Sequence, residues 1–61
     1  MIISTFQEGN KTANVCKQLS EWIVMYYEDD EYISSDTAFN EQHAEELAED
    51  YVLKFGETNG K

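Results

Sequence analysis

The sequence predicts an α+β fold: a small antiparallel sheet made of residues 1–6, 22–27 and 31–35, covered by a helix over residues 41–55. Three observations point there. Ala44, Leu47, Ala48, Tyr51, Val52 and Phe55 recur at helical spacing and form one apolar stripe. Trp22-Ile23-Val24-Met25-Tyr26-Tyr27 is an unbroken run of large or β-favouring side chains, followed by the acidic Glu28-Asp29-Asp30-Glu31 and then by Tyr32-Ile33. The start, Met1 to Phe6, is apolar and β-favouring and runs into Gln7-Glu8-Gly9-Asn10, which has the composition of a turn.

Residues 12–27 carry two patterns at once. Val15, Cys16, Leu19, Trp22, Ile23 and Tyr26 fit an amphipathic helix with Thr12 as its N-cap. The run at 22–27 fits a strand equally well. The hairpin reading of 22–35 is preferred, because four acids at 28–31 would oppose the dipole at a helix C-terminus. With Asp29-Asp30 as the loop, Tyr27 falls opposite Tyr32, Tyr26 opposite Ile33, and Glu28 against Glu31 at a like-charge cost. Residues 12–20 then form a short helix or an earlier strand, and an all-α helical hairpin is the alternative fold. The C-terminal helix has its signals in order: Asn40 as N-cap, Phe39 as staple residue, Glu41 in the first turn, Lys54 in the last and Gly56 to stop it. Residues 57–61 are expected to be a frayed tail of the single small domain.

A 61-residue chain buries a modest core, so something beyond it is expected to contribute stability. One cysteine, Cys16, excludes an internal disulfide, and one Cys with one His excludes a four-ligand zinc site. Self-association, as a homodimer or homo-oligomer, or a particularly tight core is the remaining stabiliser. There is no proline and 13% of residues are aromatic, which argues against disorder. No apolar run approaches the ~18 residues of a membrane span, and the first residues lack the basic and apolar regions of a signal peptide; a cytoplasmic protein is expected.

Charge supplies the functional clue. The net charge is −9, and the window Gln18 to Leu53 holds eleven carboxylates without a Lys or Arg. Glu41, Glu45 and Glu49 stand at i, i+4, i+8 on the last helix, and Glu46 with Asp50 makes an adjacent row, with no lysine interleaved. Together with Glu28, Asp29, Asp30, Glu31 and Asp36 they form a candidate partner-binding surface, with Tyr27 and Tyr32 as anchors beside the acidic turn. Such a surface repels nucleic acid and anionic membranes and suits a basic protein, such as a nucleic-acid-binding enzyme. The expected function is non-enzymatic: occupation of a basic site by a DNA mimic or phage-type inhibitor. An accessory or structural subunit whose acids only solvate the outside is the alternative, and a carboxylate metal protein a remote third. The D-x-D-x-D-G loop of calcium sites is missing, and His43-x-x-Glu46 is a single pair. Cys16 has no activating base beyond Lys17, and no Gly-rich phosphate loop is present, so neither an enzyme nor a cofactor is expected.

Overall fold

The computed structural model describes residues 1–56, with side chains through Leu53. Four strands, β1 (Ile2–Glu8), β2 (Lys11–Gln18), β3 (Glu21–Glu28) and β4 (Glu31–Ala38), form one antiparallel sheet in the order β1-β2-β3-β4, and helix α1 (Glu41–Gly56) packs on one face. Each strand returns beside the last through a two-residue turn, so the sheet is a meander. Such tight turns need positive φ, because only then does the turn twist match that of the flanking strands. Asp29 (φ 55°) and Asp30 (φ 67°) both adopt it, as a type I′ turn requires; aspartate tolerates this region by bonding locally. In the other two turns one residue does so: Gly9 (φ 63°), which has no Cβ to clash, and Leu19 (φ 54°), which does.

The α+β class, the 22–35 hairpin and the C-terminal helix are as the sequence predicts. Of the two readings the sequence allows for 12–20, short helix or earlier strand, the structure has the strand β2, and Thr12 is a mid-sheet residue rather than an N-cap. The reason lies in its position as a central strand. Ala13 and Val15 point to the helix and are fully buried, yet Cys16 on the opposite face is also buried. Burial on both faces erases the period-two signal and leaves a spacing that imitates a helix.

Alternation along the strands sorts the side chains. Toward α1 point Phe6, Ala13, Val15, Trp22, Val24, Tyr26, Asp36 and Ala38, aligned by the pairs Phe6 with Ala13, Ala13 with Tyr26, Val15 with Val24, Val24 with Asp36 and Trp22 with Ala38. Ala44, Ala48 and Val52 close the core from the helix side, with Leu47 and Tyr51 packed at its margin. The other face carries Ile2, Thr5, Gln7, Thr12, Asn14, Cys16, Ile23, Met25, Tyr27, Tyr32, Ser35 and Thr37 and has no second layer.

Tyr27 pairs with Tyr32 and Glu28 with Glu31, as the loop position dictates. Tyr26, however, lies opposite Ser34 and not Ile33: a register shift between Tyr26 and Tyr27 leaves Ile33 as the extra residue of a bulge. At the start of α1 the Asn40 cap forms, the His43 N–H donating to Asn40 Oδ1 at 2.8 Å. His43 returns the favour, its Nδ1 accepting from the Phe39 N–H at 3.1 Å, while the two rings stack at 5.0 Å. Phe39 is therefore not the core or staple residue its position suggests; it is 91% exposed and rests on His43. The Phe55 and Lys54 side chains, and the tail 57–61, lie outside the described residues.

Two stability predictions follow from the turns and the cap. Leu19→Gly removes a strained left-handed residue whose side chain is 99% exposed, and raises stability by about 0.5–1 kcal/mol in urea unfolding, whereas Leu19→Ala does not. Asn40→Ala lowers it by about 1 kcal/mol in the same measurement.

Candidate interaction surface

The acidic turn between β3 and β4 is held from two sides. The Asp29 N–H donates to the Asn10 carbonyl at 2.9 Å, and Asn10 Nδ2 donates to Asp29 Oδ1 at 3.2 Å, so the first and third turns brace one another. Glu28 and Glu31 face each other across the hairpin, a repulsive pair. Lys11, which is remote in sequence, sits directly opposite Glu28 on β2, with its Nζ 3.1 Å from Glu28 Oε2. Its side chain is only 17% exposed and lies over the Tyr51 ring, so this lysine is spent inside the structure and adds little positive potential to the surface.

Beside the turn, a groove of about 470 Å³ runs between β4 and α1. Tyr26, Ile33, Leu47 and Tyr51 give it an apolar lining, and Glu28, Asp36 and Asp50 supply its carboxylates. The two tyrosine rings pack at 4.7 Å, and both hydroxyls are engaged: Tyr26 Oη donates to Asp36 Oδ2 and Tyr51 Oη to the Tyr27 carbonyl, each at 2.9 Å. Burial pushes the Tyr26 phenol well above its ordinary value, and the Asp36 hydrogen bond and charge push it further. Burial also raises Tyr51; Glu28 adds to this and Lys11 opposes it. The groove thus offers rigid aromatic walls and carboxylate acceptors, an arrangement that suits a cationic side chain with an apolar stem.

The expected acidic surface divides in two. Asp50 lines the groove with Glu28 and Asp36, and Glu28, Asp29 and Glu31 line a second hollow at the turn. Glu46, one turn before Asp50, is exposed on the side of α1 turned away from Ala44 and Ala48 and does not line the groove. Glu41, Glu45 and Glu49 occupy the opposite flank of α1, away from the groove. Tyr32 lines the hollow at the turn with Glu28, Asp29 and Glu31, and Tyr27 is its cross-strand partner. They sit on the uncovered face of the sheet in an edge-to-face pair, 5.8 Å apart. Comparison with protein-family models, curated proteins and solved structures finds no match. Among the described residues no group of three or more His, Cys, Asp or Glu is arranged to hold a metal ion, and no helix is long and apolar enough to cross a membrane. Cys16 is a buried free thiol.

Sequence reasoning found the acids but missed Lys11, Tyr26, Ile33, Leu47 and Tyr51 as parts of one site. They come from four separate elements, and no spacing links them.

The raised tyrosines set an alkaline limit. A phenol whose folded-state pKa exceeds the usual 10.0 adds stability that is complete below that value and fades as pH climbs toward the folded-state value. Urea midpoints between about pH 9 and about pH 11 should therefore fall for the wild type, and fall less for Tyr26→Phe, which is itself weaker by about 1 kcal/mol at neutral pH.

Proposed function

We propose that the chain is a non-enzymatic interaction protein that occupies the basic, nucleic-acid-binding surface of a partner protein and so inhibits it, acting as a DNA mimic. The observation that carries this reading is the groove beside β4, where carboxylates from β3, β4 and α1 converge on an aromatic lining and the nearest described lysine is held inward by Glu28. Lys11 also lines the groove but is drawn to Glu28 and the Tyr51 ring, so an arginine or lysine of the partner would lay its stem over Ile33 and Leu47 and its charge against Asp36 and Asp50. Asp29, Asp30 and Glu31 extend the same negative field past the end of the sheet. Rows of carboxylates one helical turn apart on α1 resemble successive phosphates in spacing and charge. Their like-charge repulsion is tolerated in the fold and would be relieved by a basic partner.

A second reading has its own support. The uncovered sheet face is apolar along β3 and uncharged at its centre, which suits an accessory subunit held by that face with its acids turned to solvent.

The two differ in which residues matter. Tagged protein is used to capture partners from lysate of the cells that make it, at about 0.05 and about 0.5 M NaCl. The DNA-mimic reading expects a partner that is competed off by DNA, is lost at high salt, and is weakened about tenfold or more by Asp36→Asn with Asp50→Asn. A partner held equally well in both salts and by that double variant would refute it.

A further inference from the structure

We infer that the uncovered face of the sheet is the contact between two copies of this chain, packed sheet against sheet. Among the described residues, this face is the large surface from which the charge of this −9 protein is withheld. Three cross-strand rows build it, and none contains a carboxylate; of the acids among the described residues only Glu21 turns to this side, at its border beside the β2–β3 turn. Ile23, Met25 and Tyr27 run down its centre on β3, and Ile2 and Tyr32, each 55% exposed, flank them. Hydroxyl and amide side chains and the buried Cys16 thiol fill the remaining positions.

Charge selects a second copy as the occupant. A two-fold axis lying between the sheets brings the β3 stripe of one chain onto that of the other, so an uncharged apolar stripe is complementary to itself. In that arrangement both helices and their carboxylates lie on the outer sides, separated by two sheets about 10 Å apart. Pairing through the helix side or through the β3–β4 turn would instead set carboxylates against one another. The interior shows what the pairing would add: the largest fully buried side chains of the single chain are Val15 and Val24, a thin core for its length. Four strands about 4.8 Å apart and seven residues at about 3.4 Å each give a face of about 450 Å² per copy. A pair then buries about 900 Å², the range of weak, concentration-dependent dimers.

Sedimentation of the whole chain, from about 5 to about 500 μM, tests this. The expected result is a mass rising from 7.1 kDa toward twice that value, with an association that tightens as NaCl is raised because salt screens the residual repulsion. Met25→Lys should weaken the dimer about tenfold or more by placing like charges near the axis. Tyr32→Lys, at a half-exposed edge position that the core does not need, should do the same with the circular dichroism spectrum of the sheet retained. A chain that stays monomeric at the highest concentration, or a dimer indifferent to a folded Tyr32→Lys, overturns the inference. So does a dimer lost on Asp36→Asn with Asp50→Asn. Binding of a basic partner weakens with salt whereas this association strengthens, so the two readings fail separately.

Discussion

The helix meets the sheet through alanines and valines, and that close contact decides where every larger side chain goes. Ala44, Ala48 and Val52 on α1 face Ala13, Val15 and Val24 on the two central strands. With so little bulk between them, the helix settles close over the middle of the sheet. Phe6, Trp22, Leu47 and Tyr51 are displaced to the perimeter, where they pack against this centre but stay only partly buried. The edge strand β4 is left beyond the reach of the helix, exposed at every residue except Ala38. The groove is the gap that results. Its walls are Tyr26, Ile33, Leu47 and Tyr51, and its carboxylates are Glu28, Asp36 and Asp50.

The same packing disposes of the positive charge. Lys11 and Lys17 point toward the helix from the two ends of β2, and their ammonium groups lie over the rings of Tyr51 and Trp22, 5.8 and 4.9 Å from the ring centres. Their stems cover aromatic edges that the small core cannot enclose. Two cations are thereby committed to the seam between sheet and helix while most carboxylates stay outside. Among the described residues, negative charge is therefore concentrated on the helix side and the turns, with Glu21 as the exception. The opposite face of the sheet is left neutral. One chain thus presents two surfaces of contrasting chemistry, which is why a charged partner and a second copy can be assigned to it without competing for the same residues.

What could be read in advance was local. The helix announces itself within a few residues: an apolar stripe repeating each turn, and an asparagine placed to accept from the third amide onward. The hairpin likewise follows from an acidic pair that tolerates left-handed backbone between two β-favouring runs, which fixes Tyr27 against Tyr32. Where neighbours from distant segments decide, the reading fails. Residues 12–20 stay open between helix and strand in the sequence, because Val15 and Cys16 are buried on opposite faces of a central strand at once. Ile33 was placed opposite Tyr26 because a bulge leaves no mark in composition. Phe39 looked like a staple, but the residue it would have met, Ala44, is fully buried under the sheet, and the ring stacks on His43 instead.

The acidic site divides along the same line. The abundance of carboxylates, their spacing on α1 and their concentration at 28–31 are properties of the chain, and they alone determined that a charged surface would be displayed on a folded scaffold. The tertiary structure decided which of them share a site. It set Asp50 beside Asp36 and left Glu41, Glu45, Glu46 and Glu49 out of the groove; it drew Lys11 in against Glu28; and it put Tyr27 and Tyr32 on the uncovered face of the sheet, with Tyr32 still at the margin of the acidic turn. The physical reason is that helical and turn geometry is fixed by hydrogen bonds between residues a few positions apart. The face to which a strand presents its side chains depends on pairing register, and a one-residue slip there reverses it.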